Sequence, residues 1–442
     1  MDKADGRADP GAAQVRSLPL GSWIFSTDDH LLESTDTFAG RVPGRYTDAA
    51  PHIVVDDDGG DAWVLGDELV PISFADGTAS WTVDERPLLG VRWQAQQGLP
   101  DGATPQGPAR TALERRDRGL VRVEEDFHPS VYDVDARIEA MDRDGVWTSV
   151  LIPSISFGFA GQRFSMLNDG DAGLAFVRAY NDWLAEEVQG RHPGRLIASQ
   201  IPWFRDPEIA AAEVRKNAAR GFKATLFAEN PERFGFPSIH TGHWDPFFAA
   251  CEETDTVLNV HLGTGLQPTP VSSDSPLPVL KASVAVNSSL SAFDWVFSGI
   301  AIRFPNIKVS FTEGGIDFVP LVYGRLETLT RDMLEGFWDE AISPAELLAR
   351  NFWFAALFDV GAYSFLADRM PDHGMVETDF PHGDTMWPNS QEHFAGRLHG
   401  LTPEHRERFL LTNASSLYRH PIDGRPPATL ATPVGATAGS VQ

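Results

Sequence analysis

Hydrophobic and polar positions along this chain alternate between two periods, and the switches mark its elements. Within residues 131–144, Val134, Ile138 and Met141 recur at helical spacing, and Gly145 stands where a helix would stop. The apolar run Val146-Trp147-Thr148-Ser149-Val150-Leu151-Ile152 follows and predicts a buried strand. The same unit recurs. A helix over 172–188 (Leu174, Val177, Tyr180, Leu184, Val188) leads to a strand over 196–201, and a helix over 207–220, opened by Asp206 as cap, leads through Gly221 to a strand over 222–227. Helices over 244–253 and 290–303 lead to strands over 257–261 and 307–311. A pattern over 318–334, then 344–350 with a Ser343 cap, leads to 352–354 and finally to 375–378.

One more strand stands earlier, at Trp23-Ile24-Phe25-Ser26-Thr27-Asp28-Asp29-His30, and completes a set of eight. Apolar strands alternating with helices imply a parallel sheet covered on both faces, and eight such units imply a closed (β/α)8 TIM barrel. An open doubly wound sheet is the alternative, but no Gly-rich phosphate turn follows the first strand. Between the first strand and residue 129 the rhythm lapses. There the runs 52–55 and 62–65 flank the turn-rich Asp56-Asp57-Asp58-Gly59-Gly60-Asp61, a hairpin signal, and 78–118 is rich in Gly, Pro, Gln and Arg. The expected organisation is a disordered lead-in over 1–16 and a barrel domain over 17–422 with an insertion at 31–128. Helices over 391–398 and 403–418 would close the ring, and a flexible tail would follow over 423–442.

Composition narrows the class of function. With 442 residues, 42% of them hydrophobic, the chain has ample material for a barrel core. A formal net charge of −26 argues against a nucleic-acid partner or an anionic membrane surface. Cys251 is the one cysteine, so neither an intrachain disulfide nor a thiolate metal cage can form. The opening residues lack the apolar stretch of a signal peptide, and no apolar run reaches the ~18 residues that span a bilayer, so a soluble cytoplasmic protein is expected.

The candidate chemistry lies where the strands end, because a barrel of this kind places its active site at the carboxyl ends of its strands. Asp28 and His30 stand two apart on the first strand, so their side chains share a face while Asp29 points the other way. Glu229 follows the fourth strand, His261 ends the fifth, Glu313 follows the sixth and Asp379 follows the eighth. Glu229 reads equally well as a solvated loop acid, and Glu313 as a helix-capping carboxylate. Taken together, four carboxylates and two imidazoles at one mouth suit iron or manganese, with charge enough for two divalent ions; a single ion needs only four of the six. His240, His243, Glu377, His382 and Asp384 lie close by in sequence as candidate orienting groups, with His382 the favoured proton-handling residue.

Four segments carry a family likeness: Asp28-Asp29-His30, Val260-His261-Leu262-Gly263, Thr312-Glu313-Gly314-Gly315-Ile316 and Glu377-Thr378-Asp379-Phe380-Pro381-His382. In this order they resemble the amidohydrolase-related family of metal-dependent hydrolases and decarboxylases on a distorted (β/α)8 barrel. The resemblance implies metal ligands on strands one, four, five, six and eight. Asp28 stands where the superfamily has the first His of a His-x-His pair, and Glu313 where it has the strand-six His, which favours a harder metal than zinc. Glu229-Asn230-Pro231, Pro237-Ser238-Ile239-His240 with His243-Trp244-Asp245-Pro246, and Asp384-Thr385-Met386-Trp387-Pro388 are also similar to an actinobacterial subgroup. That subgroup includes a nonheme di-iron monooxygenase of the platensimycin and platencin pathway.

Two functional expectations follow. In the first, two Fe(II) held by Asp28, His30, Glu229, His261, Glu313 and Asp379 activate O2 and hydroxylate an apolar, terpenoid-type intermediate of secondary metabolism. An external electron donor would be required, with Glu313, Asp379 and His382 as the catalytic groups. In the second, one Mn or Zn held by Asp28, His30, His261 and Asp379 serves a hydrolase or decarboxylase of a small carboxylic acid, and His382 or Glu313 moves protons. A structural ion site in a binding protein is the third and poorest reading. Whether the substrate arrives free or as a thioester is open, and pairing of the barrel as a homodimer is an expectation from its class.

Overall fold

The computed structural model describes residues 15–72, 119–265, 282–329, 331–338, 341–426 and 429–431, with isolated positions at 82–83, 86–87, 115, 272, 275 and 279. Much of the expected insertion, and the outer parts of the expected lead-in and tail, lie outside the described residues. Eight parallel strands close into a barrel: β1 (Ile24–His30), β2 (Val146–Ile152), β3 (Leu196–Gln200), β4 (Ala224–Ala228), β5 (Val257–His261), β6 (Val309–Thr312), β7 (Phe352–Ala356) and β8 (Gly374–Val376). Neighbours in sequence are neighbours in the sheet, and β8 returns to β1 through Val376 opposite Ser26. The strands sit almost where the apolar runs placed them, because both faces of each are buried.

Helices α1 (Val134–Asp144), α2 (Gly170–Trp183), α3 (Pro207–Ala218), α4 (Asp245–Glu253), α5 (Val284–Phe297), α6 (Val319–Glu327) and α7 (Pro344–Asn351) pack outside the strands. Their ends show capping chemistry, which the sequence announced at Gly145, Asp206 and Ser343 and the structure adds at Asp133. Asp133 accepts from the Ala136 N–H at the head of α1, and Gly145, at φ +72°, turns the chain into β2. Asp206 accepts from Glu208 and Ile209 at the head of α3, with Pro207 in the first turn. Ser343 and Glu346 form a reciprocal capping box on α7. A further helix, α8 (Tyr363–Arg369), links β7 to β8, where the sequence reading placed none.

The expected hairpin is present and larger: His52–Val55, Asp61–Leu65 and Glu68–Pro71 make a three-stranded antiparallel sheet. Trp63 from this sheet meets Phe38 and Phe157 in the main core, so the described part of the insertion is packed against the barrel. After β8, α9 (Ser390–Arg397) and the helical stretch from Pro403 to Leu417 cover the remaining side. Val15–Ser17 pairs antiparallel with Thr429–Ala431, joining the margins of the two expected tails. Among the described residues no helix is long and apolar enough to cross a membrane.

Candidate metal centre

β1 is irregular where it carries its ligand candidates. Ser26 pairs with Ser149 and Asp29 with Leu151, so three steps on β1 match two on β2, and β1 carries an extra residue between Ser26 and Asp29. Asp28 and His30 turn into the barrel mouth, with Asp28 Oδ1 3.4 Å from His30 Nε2. Asp29 faces away, as its parity requires. Its carboxylate takes hydrogen bonds from the Ser149 hydroxyl, from Thr378 Oγ1 at 2.5 Å and from the Phe380 N–H at 2.9 Å, stitching β1 to β2 and to the segment after β8.

The mouth gathers the rest. His261 Nε2 lies 3.4 Å from Asp28 Oδ2 and 3.2 Å from Glu313 Oε2; His30 Nε2 lies 3.4 Å from Asp379 Oδ1. Glu313 and Asp379 sit at φ +57° and +49°, a left-handed backbone that non-glycine residues seldom adopt and that is often found where function holds it. His30 Nδ1 stands 3.1 Å from the Pro153 carbonyl and His261 Nδ1 2.6 Å from the Leu262 carbonyl. A carbonyl can only accept, so each Nδ1 bears the proton and each Nε2 turns a lone pair inward.

Those inward atoms fit a cation. Both oxygens of Asp28, Oδ2 of Asp379, and the Nε2 atoms of His30 and His261 are buried without a hydrogen-bond donor or acceptor. Buried polar atoms left in that state are costly. Metal–ligand distances near 2.1 Å place adjacent ligand atoms about 3.0 Å apart in octahedral and about 3.4 Å apart in tetrahedral coordination, the spacing seen here. Two sets among the described residues are close enough to share an ion: Asp28, His30 and His261, and His30, Asp379 and His382. They meet at His30, and a neutral imidazole whose Nδ1 is protonated has one lone pair to give, so the sets describe one centre more naturally than two.

Electrostatics point the same way. Burial first, then the charges of Glu377, Asp379 and Glu313, push Asp28 far above the usual carboxylate range. Glu377 is driven up by burial, with Asp379 and Glu313 adding to it, and its Oε1 has no partner. Burial and the neighbouring His382 lower His30 to about 4, and burial and His30 hold His261 well down, so both imidazoles are neutral and ready to ligate. Burial alone would raise Asp379, but His382 and His30 outweigh it and hold the carboxyl below its ordinary range. Crowded carboxylates between neutral imidazoles are compensated naturally by a divalent ion.

The remaining sequence candidates divide. Glu313 is the more open member, its side chain 23% exposed, and is pushed above the usual glutamate range by burial and then by Asp379. His382 Nδ1 lies 2.9 Å from Asp379 Oδ1, and its ring stacks on His30 with centroids 3.8 Å apart. Glu229 is buried close behind, but belongs to neither ligand set; its oxygens accept from the Gly263 N–H and from Ser291 Oγ, each at 2.8 Å. Thr264 Oγ1 donates to the His261 carbonyl at 2.6 Å and accepts from the Glu229 N–H at 2.9 Å, so Glu229 braces the loop that follows His261. His240 pairs with Asp294 at 2.8 Å on the surface. Sequence reasoning passed over Phe159, whose ring stacks on His261 at 4.1 Å, because an isolated Phe in a loop carries no signal. It also passed over Asp317 and Asp359, which accept backbone N–H groups from each other's loops and thereby fix the turn after Glu313.

Comparison with known proteins identifies the fold and the family. The chain is 26% identical over 264 residues, 57% of its length and 67% of the relative's, to the 2-amino-3-carboxymuconate-6-semialdehyde decarboxylase of Dictyostelium discoideum. Its fold is similar to an amidohydrolase of Mycobacterium avium subsp. paratuberculosis K-10, with a TM-score of 0.68 at 22% identity over 90% of this chain and 99% of that one. It is also similar to the 5-carboxyvanillate decarboxylase of Novosphingobium aromaticivorans DSM 12444 solved with bound manganese, with a TM-score of 0.53 at 20% identity over 66% of this chain and 82% of that one. The profile of the amidohydrolase family matches residues 125–420, more than half of the sequence and the stretch that carries seven of the eight barrel strands, and the chain belongs to that family.

Proposed function

We propose that this protein is a metal-dependent decarboxylase of a small carboxylic acid that uses one divalent ion, manganese or zinc, held by Asp28, His30, His261 and Asp379. One observation carries the reading: four buried side chains from three separate parts of the chain aim ligand atoms at one another at 3.4 Å, and those of Asp28, His30 and His261 have no hydrogen-bond partner. When bound, the ion would supply Lewis acidity toward a substrate oxygen beside the scissile carboxylate. Loss of carbon dioxide leaves an electron pair on carbon that must take up a proton. His382, joined to Asp379 and stacked on His30, and Glu313, open to the mouth, stand where one of them can hold and deliver that proton. Phe159 packs over His261 and His30 and shields one flank from water. The decarboxylase relative favours decarboxylation over hydrolysis of a small acid, which the same groups would also serve.

The di-iron oxygenase reading has less support. It needs Glu229 in the ligand set, whereas its oxygens serve Gly263 and Ser291, and it needs His30 to serve two ions. Metal analysis of purified protein separates the readings: about one manganese or zinc per chain, with carbon dioxide released from some member of a panel of hydroxylated aromatic and unsaturated acids, is the expected result. Two irons per chain with oxygen uptake would replace this proposal by the oxygenase.

A further inference from the structure

Glu33, three residues beyond His30, is fully buried and was not a sequence candidate. Its Oε1 accepts from the Ser154 N–H at 3.1 Å and from the Tyr180 hydroxyl of α2 at 2.7 Å. The Ser154 N–H belongs to the same peptide group as the Pro153 carbonyl, and that carbonyl faces His30 Nδ1 at 3.1 Å. Carboxylate, peptide and imidazole are therefore in series: the N–H end of one amide points at a negative charge and its C=O end at a ligand histidine.

We infer that Glu33 is a positioning residue for the metal centre, acting through the Pro153–Ser154 peptide to orient His30 and strengthen it as a metal ligand. The inference rests on His30 being a ligand, as proposed above. Histidine ligands commonly give their second N–H to a carboxylate or a carbonyl, which fixes the ring and raises the basicity of the ligating nitrogen. Here the two devices are combined. A carboxylate hydrogen-bonded to the amide N–H polarises the amide and makes its carbonyl the better acceptor, since hydrogen bonds in a chain reinforce one another at low dielectric. The arrangement keeps a full negative charge out of contact with the imidazole, beside a centre already crowded with carboxylates. Tyr180 holds the carboxylate in place from α2, a rigid element of the outer ring. Burial lifts Glu33 to about 7, so the charge is largely present at pH 8.

The test is the affinity of the purified full-length chain for Mn(II) and Co(II), measured at pH 8 by competition with a chelator, together with the visible spectrum of the Co(II) form. In Glu33→Gln the amide oxygen still accepts from Ser154 and Tyr180, so the geometry is kept and only the charge is lost. The expected result is about tenfold weaker binding and a shifted Co(II) spectrum, the scale on which such supporting groups act. The metal-free variant should melt no lower than the wild type, because an uncharged group replaces a buried ionisable one. Affinity within twofold of the wild type and an unchanged spectrum overturn the inference. His30→Ala marks the other failure: if it binds metal like the wild type, His30 is no ligand and the relay falls with it. Should Glu33→Gln not fold, Tyr180→Phe carries the same test on folded protein. With one of two donors gone the buried carboxylate neutralises more readily, so several-fold weaker binding is expected and wild-type affinity refutes.

Discussion

Asp144 offers a sharp physical test outside the proposed ligand set. It ends α1, is 2% exposed, and its carboxylate accepts from the Ser390 N–H at 2.9 Å and from Ser390 Oγ at 2.5 Å, pinning the start of α9. Burial, only partly relieved by those bonds and reinforced by Asp29 and Glu392, raises its carboxyl to about 7. An unfolded aspartate titrates near 4. Between about pH 4 and 7 the folded chain therefore holds a proton that the unfolded chain has lost, and stability from this group falls as pH rises through that window and levels off above it. Three pH units at about 1.4 kcal/mol each set a penalty on the order of 4 kcal/mol at pH 8. In Asp144→Asn the amide oxygen can keep the bond from the Ser390 N–H, and the titration is gone. Urea midpoints of the two proteins, measured together from pH 4.5 to 8.5, cancel the other titrating groups in their difference. The variant is expected to gain on the wild type steadily as pH rises to about 7 and to hold its gain beyond. Parallel curves across the range would show that Asp144 is not a buried acid of raised affinity for protons, and the argument would be refuted.

Three further outcomes are expected. Arg137 is 1% exposed and donates to the backbone carbonyls of His30, Ser130 and Phe380 while offsetting the charge of Asp29; Arg137→Met should cost about 3–5 kcal/mol in denaturant melts, and a loss below about 1 kcal/mol would show the buried charge to be dispensable. Chelation should lower the melting temperature and added Mn(II) restore it, with free metal at a hundred times its Kd worth about 2.7 kcal/mol; His261→Ala should show no such response, and a full response in that variant would remove His261 from the ligand set. Glu229→Ala should leave metal content at one ion per chain, yet cost about 1–3 kcal/mol because the buried Gly263 N–H loses its acceptor; loss of the ion in a folded variant would return Glu229 to the ligands.

Much of the architecture could be read from the chain because local and global demands agree. A strand covered on both faces must be apolar throughout, so 146–152 and 257–261 announced themselves, and Asp206, Ser343 and Gly145 marked helix ends through bonds made within a few residues. The helix α8 escaped notice because it is short and follows an irregular loop.

For the centre itself, the sequence determined which acids and imidazoles stand at strand ends, and strand parity alone separated Asp28 and His30 from Asp29. Only the tertiary structure decided their roles. The left-handed turns at Glu313 and Asp379 are backbone settings that residue identity does not announce, and the bulge in β1 and the Pro153 carbonyl that sets the proton of His30 depend on segments far apart in the chain. So does the division of labour between partnerless Asp28 and hydrogen-bonded Glu229, two buried carboxylates that look alike in a sequence. The reason is physical: a side chain's identity fixes which atoms it can offer, but which of them are left without a partner is settled by everything that folds around it.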